Sequence, residues 1–237
     1  MFPTARSEFQ LTGNVAVSLY DRDPYRPDVT RNGSLGGVVL AGGYSTRFGE
    51  PDKAVTDLAG TPMIRRVVDR LATVADDCVV NCRADQLEPI RDALSGSEAA
   101  PRYATDPVPD RGPLSGMQVG LEALEPEYAA VVACDMPFVD PVLLEILHDR
   151  AYGRDGAVVR LADGWLQPMQ AVYRAETMAR VCEQRLSSGD GRVMAALEEL
   201  DVATVAEADL EGVSDRTFDS IDTQAALRDA TRRLEQC

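Results

Sequence analysis

From Gly36 onward the chain alternates between two textures. Short apolar runs such as Gly37-Val38-Val39-Leu40-Ala41 lack the polar alternation of a half-exposed strand, and they predict strands buried on both faces. Between them, apolar residues recur at helical spacing, as at Met63, Ile64, Val67, Val68 and Leu71. The pattern predicts strands over 37–41, 78–81, 103–105, 129–134, 156–161, 167–173, 202–205 and 217–221. Helices are predicted from Thr61 (as N-cap, with Pro62 as first helical residue) through Leu71, and over 86–94, 113–124, 141–150, 176–186, 192–200 and 223–235. Strand and helix alternate at the spacing of βαβ units, so the fold class is α/β with a mostly parallel sheet covered on both faces.

Residues 1–34 show no clear period and collect Pro, Asp, Arg, Gly and Asn. They read as an N-terminal extension, disordered or created by a mis-set start codon, ahead of one domain over 35–237.

In an open α/β sheet, ligands bind outside the carboxyl ends of the strands. The polar residues at those ends are therefore the candidates. A glycine loop follows the first strand, Asn81 lies at the end of the second, Asp106 follows the third and Asp135 follows the fourth. Asp222 ends the strand expected over 217–221 and is read equally as a metal ligand or a helix N-cap. The loop matches neither the Walker spacing nor Gly-x-Gly-x-x-Gly. Its Gly42 and Gly43 still allow backbone amides to approach a phosphate, and Arg47 and Lys53 add cationic reach. A carboxylate at Asp135 facing phosphates suits Mg²⁺, which prefers one or two carboxylates plus phosphate oxygens.

Charge sharpens this picture. Lys and Arg total 24 and Lys53 is the only lysine, so the chain has kept one compact ammonium beside its glycine loop. Asp and Glu total 39, the formal charge is −15, and the balance argues against binding nucleic acid or an anionic membrane. It also resembles a surface adapted to high salt. The five scattered cysteines and single histidine, His148, do not form a zinc set, and free thiols suit a reducing cytoplasm. His148 reads as a surface residue in mid-helix, and Trp165 as turn packing. With no Ser-His-Asp or Cys-His arrangement, direct transfer between bound substrates is the economical chemistry.

The run Leu40-Ala41-Gly42-Gly43-x-Ser45-x-Arg47-Phe48-Gly49-x-x-Asp52-Lys53 resembles the signature of molybdenum cofactor guanylyltransferases, within the nucleotidyltransferase superfamily. Later matches keep the same order: Asn81, Asp106, Gly112-Pro113-Leu114-x-Gly116, Cys134-Asp135-Met136-Pro137, Gln167-Pro168-x-x-Ala171-Val172, Arg192-Val193-Met194 and Ile221-Asp222-Thr223. The resemblance implies a Rossmann-like three-layer sandwich of the nucleotide-diphospho-sugar transferase type. It implies transfer of GMP from GTP to the terminal phosphate of molybdopterin cofactor, with release of pyrophosphate. Backbone at Leu40, Ala41 and Gly42 would hold the nucleotide, and Asn81 and Asp106 would contact guanosine. Lys53 would neutralise the α-phosphate, Arg47 would steady the leaving pyrophosphate and Asp135 would carry Mg²⁺. The 167–168 and 192–194 segments would face the pterin, and recipient molybdoenzymes are implied partners. Where the family often has Asn-x-Asn-Thr, this chain has Ser220 and Asp222 in the Asn positions. The alternatives are the cytidylyltransferase of the same cofactor, a phospholactate or cobinamide-phosphate guanylyltransferase, a sugar-phosphate nucleotidyltransferase, and a GTP or cofactor carrier without turnover.

Overall fold

A computed structural model describes residues 33–44, 48–49, 52–108 and 111–236. The extension expected over 1–34 falls almost wholly outside these residues, as does Arg47.

The first strand, β1 (Leu35–Leu40), is buried along its whole length. It is followed by a single 3₁₀ turn over Lys53–Val55 and by a short hairpin of β2 (Asp57–Leu58) and β3 (Thr61–Pro62). Helix α1 (Met63–Leu71) leads to β4 (Asp77–Cys82), α2 (Leu87–Ala93) and β5 (Arg102–Thr105). The chain then crosses the sheet through α3 (Pro113–Glu122) to β6 (Tyr128–Ala133) and continues into α4 (Pro141–Ala151). The last part comprises β7 (Gly156–Arg160), β8 (Leu166–Arg174), α5 (Ala175–Ser187), α6 (Val193–Leu197), β9 (Val202–Ala206) and α7 (Gln224–Leu234).

The main sheet has the order β5-β4-β1-β6-β8-β7-β9. All its neighbours pair in parallel except those of β8, which is antiparallel to both β6 and β7. Alternate side chains of the strands feed two cores. Val39, Val80 and Val132 pack with α1 and α4 on one face. Val38, Val131 and Tyr173 pack with α3 and α5 on the other. The expected α/β sandwich is therefore present. β1 sends the chain to β4 on one side, while β6 lies on its other side. That reversal opens a crevice at the carboxyl ends of β1 and β6.

Four expectations need correction. Thr61-Pro62 belongs to a strand rather than a helix start, and Pro62 is the N-cap of α1. Ala59 and Gly60, at φ 50° and 81°, both take the positive φ that a tight hairpin turn demands, which the apolar spacing behind them could not reveal. Residues 217–221 form turns instead of a strand: the amide of Thr217 donates to the carbonyl of Ser214, and that of Asp219 to Arg216. His148 is buried with its ring 5.8 Å from that of Tyr128, because its face of α4 turns to the sheet. Trp165 is 70% exposed at the β7–β8 turn, so it packs little there.

A third small core joins Phe48, Leu58, Met63, Phe138, Ile221 and Ala230. It ties the hairpin and α7 together beside the crevice. Among the described residues no helix is long and apolar enough to cross a membrane.

The sheet depends on close helix packing at Gly37, where an added Cβ would lie 2.5 Å from Cδ2 and 2.7 Å from Cγ of Leu71. Alanine would gain about 0.5–1 kcal/mol by restraining the unfolded chain. Overpacking costs about 1–3 kcal/mol and should win. Gly37→Ala is expected to lower the urea midpoint with an unchanged m value.

Candidate active site

The crevice holds a cavity of about 320 Å³. Leu40 lines it from the end of β1, Gly42, Gly43 and Tyr44 from the loop that follows, Asn81 and Asp106 from the next two strand ends, and Cys134 and Asp135 from the end of β6. The four strand-end features singled out in the sequence thus meet in one place.

Ala41 does not line the cavity. Its amide donates to the carbonyl of Asn81 at 2.9 Å, which extends the sheet ladder by one residue. Beyond it the chain leaves the sheet. Gly42 passes so close to Asp106 that a Cβ would lie 2.8 Å from the carboxylate, so only glycine fits without moving that acid. Asn81 Nδ2 donates to Asp106 Oδ1 at 2.8 Å and to the carbonyl of Ala104 at 3.2 Å. The amide is fully buried and held in one orientation, with its Oδ1 pressed against Gly116 of α3. Burial pushes the Asp106 carboxyl above its ordinary 3.8, and the Asn81 hydrogen bond and the Arg83 charge offset only part of that rise.

Lys53 lies across the cavity. Asp52 caps its 3₁₀ turn by accepting from the amide of Ala54 at 2.9 Å. The Lys53 ammonium donates to Asp135 Oδ2 at 2.6 Å and to Asp222 Oδ1 at 3.0 Å. Burial pulls its pKa down, but the Asp135 charge and the hydrogen bonds to both carboxylates outweigh that and leave it above 10.5. The charge is therefore intact at neutral pH. Asp222 does not line the cavity and meets it through this contact with Lys53. Its place is fixed by backbone: the amide of Ile221 donates to the carbonyl of Asp135 at 2.8 Å. Thr217, buried in the preceding turn, accepts from Gln170 at 2.8 Å and from the amide of Asp140 at 2.9 Å.

The donor set bears on a metal. Two carboxylates from separate segments converge closely enough to share one cation, as the Lys53 ammonium shows. No group of three or more His, Cys, Asp or Glu is placed to hold a metal among the described residues. That combination fits a hard ion such as Mg²⁺ whose remaining positions go to substrate oxygens and water. It does not fit zinc, since Cys134 is buried and burial pushes its thiol well above the usual range.

Neither segment expected near a second substrate, 167–168 or 192–194, lines the cavity; Met169, next to Pro168, does, and Arg192 pairs with Asp190 on the surface. Sequence reasoning missed Arg83, Gln86 and Arg111. Arg111 lines the cavity beside Gly112, while Arg83 and Gln86 contact the glycine loop from behind. A cation two residues past the Asn81 strand end was the available signal for Arg83.

Comparison with known proteins places the chain in a family. Residues 37–205 match the MobA-like NTP transferase domain. A probable molybdenum cofactor guanylyltransferase of Natronomonas pharaonis is 48% identical over 203 residues, covering 85% of this chain and 99% of the relative. A molybdenum cofactor guanylyltransferase of Pseudomonas putida is 34% identical over 166 residues, covering 68% and 80%. The crystal structure of molybdopterin-guanine dinucleotide biosynthesis protein A from Archaeoglobus fulgidus superposes with a TM-score of 0.70 at 23% identity, over 85% of this chain and 100% of that one. A 4-diphosphocytidyl-2C-methyl-D-erythritol synthase from Anaerococcus prevotii shares the fold at a TM-score of 0.66 and 14% identity, over 86% and 97%. On the strength of both the matched domain and these relatives, the chain belongs to the MobA-like NTP transferase family.

Proposed function

We propose that this protein transfers GMP from GTP to the terminal phosphate of molybdopterin cofactor, forming the guanine dinucleotide cofactor and pyrophosphate. The observation that carries the reading is the convergence of Lys53, Asp135, Asn81 and Asp106 on one cavity behind a glycine loop. The names borne by the curated relatives support guanine as the base and the pterin as acceptor.

Each residue has a task in this reading. The backbone at Leu40, Ala41 and Gly42, with Gly43 alongside, holds the nucleotide. Asn81 and Asp106, locked to each other, contact guanosine; an ionised Asp106 accepts from the N–H groups of the base edge. Lys53 carries a compact charge on a short turn, and an entering triphosphate competes with the two carboxylates for it. At the α-phosphate the ammonium neutralises charge that builds as the pterin phosphate attacks in line. Arg47 steadies the leaving pyrophosphate. Asp135, with Asp222 behind it, would hold Mg²⁺, which supplies charge neutralisation at the phosphate oxygens when bound. No nucleophile or base from the protein is required, because the attacking group is already a phosphate oxyanion. Arg111 and Met169, which also line the cavity, would face the acceptor, and the dinucleotide product would pass to a recipient molybdoenzyme. Residues 35–237 would suffice for this chemistry. Buried thiols at Cys78, Cys82, Cys134 and Cys182 accord with a cytoplasmic enzyme.

The test is pyrophosphate release with Mg²⁺, molybdopterin cofactor and GTP, CTP or ATP. Release that needs GTP and the pterin together is expected. Release with CTP alone would overturn the base assignment, and GTP binding without release would mark a carrier. Lys53→Ala should lower turnover by about 100-fold or more. The loss should persist at high salt, because a Debye length of about 3 Å at 1 M leaves a contact-distance charge effective.

Asp106 gives a pH signature. Its folded pKa is raised, so the ionised form opposes folding slightly, and protonation on acidification removes that cost. The same protonation removes the acceptor for the base. GTP affinity should therefore fall on acidification, beginning at a higher pH than an ordinary carboxylate would set, while protonation of Asp106 itself favours the fold. Asp106→Asn should bind GTP more weakly at neutral pH and lose the acid limb, as read by titration calorimetry. An unchanged acid limb in that variant would show that another group titrates.

A further inference from the structure

The glycine loop separates two hollows, the nucleotide cavity and a second of about 310 Å³ lined by Asp52, Arg83, Asp85 and Gln86. Three successive loop carbonyls are held from the second side. Gln86 Nε2 donates to the carbonyl of Ala41 at 2.9 Å. Arg83 Nη1 donates to the carbonyls of Gly42 at 3.1 Å and Gly43 at 2.8 Å. In a trans peptide the C=O and the following N–H point in opposite directions. Fixing these carbonyls therefore aims the amides of Gly42, Gly43 and Tyr44 away from Arg83, toward the nucleotide cavity. Among the described residues none of those three amides donates to a protein acceptor.

The geometry points to Arg83 and Gln86 as positioning residues that set the glycine loop into an anion-binding nest. The pair is itself braced. Gln86 is 3% exposed, its Oε1 accepts from the amide of Arg83 at 2.9 Å, and its Nε2 also donates to Asp52 Oδ2 at 2.6 Å. Asp52 is the cap of the Lys53 turn, so one network holds the loop and the catalytic lysine in register. The Arg83 guanidinium is clamped by Asp85 through Nε and Nη2, both at 3.1 Å, and lies 4.2 Å from the centre of the Tyr44 ring. Nη1 alone bridges the two adjacent carbonyls while Nε and Nη2 hold Asp85, a division of donors that a lysine ammonium cannot copy without losing the ring contact. Arg83 does not line the nucleotide cavity.

The inference rests on the nucleotide reading above. It distinguishes an aimed nest from a merely positive neighbourhood, because Gln86 carries no charge. Calorimetry on wild-type, Arg83→Ala, Arg83→Lys and Gln86→Met would use GTP, inorganic tripolyphosphate and guanosine at fixed Mg²⁺. Arg83→Ala is expected to lose about tenfold in affinity for GTP and tripolyphosphate, with guanosine within about twofold. Gln86→Met should show the same selective loss to a smaller degree, and Arg83→Lys should recover only part. Circular dichroism melting separates these effects from unfolding. Gln86→Met with wild-type tripolyphosphate affinity would overturn the nest and leave only charge. Parallel losses for guanosine and GTP would overturn it in favour of general destabilisation. Wild-type protein that bound neither GTP nor tripolyphosphate would sink the nucleotide reading itself.

Discussion

The site depends on one ammonium held between two carboxylates. Lys53, Asp135 and Asp222 lie 82 and 169 residues apart in pairs, and only the folded chain brings them together. Lys53 and Asp135 are 15% and 16% exposed, whereas Asp222 is 37% exposed. The Asp135 pair is thus both shorter and drier, and it carries most of the interaction. A charge this sheltered is costly without its partner. The loop after β1, the end of β6 and the segment before α7 consequently cannot move independently.

That constraint explains why the C-terminal segment belongs to the site although the matched domain ends at residue 205. Ile221 is bonded to the carbonyl of Asp135, and the core of Phe48, Phe138 and Ile221 seals the contact from below. The Thr217 hydroxyl, shared by Gln170 and the Asp140 amide, fixes the turn that delivers Asp222. The β8 strand that carries Gln170 runs against its neighbours, so a reversed strand supports a site built at parallel strand ends.

Much of this was legible in the sequence. Buried β-branched runs mark strands because each is covered on both faces, and the residues just after them mark the site because strand ends in such sheets face a common crevice. Asn81, Asp106 and Asp135 were found that way. What stayed hidden depends on backbone geometry that side-chain spacing does not encode. The hairpin at Ala59-Gly60 turns on positive φ angles, the direction of β8 leaves no mark on apolar periodicity, and 217–221 has strand-like residues whose amides instead close turns. His148 was misread because polarity outweighed its face on α4. Arg83 and Gln86 were missed because their partners are carbonyls, which any residue supplies.

The most direct measurement is a crystal structure with a non-hydrolysable GTP analogue and Mg²⁺. The account predicts that the Lys53 ammonium leaves at least one carboxylate for an α-phosphate oxygen while the base meets Asn81 and Asp106. An ammonium still shared by Asp135 and Asp222, with the triphosphate bound elsewhere, would contradict it.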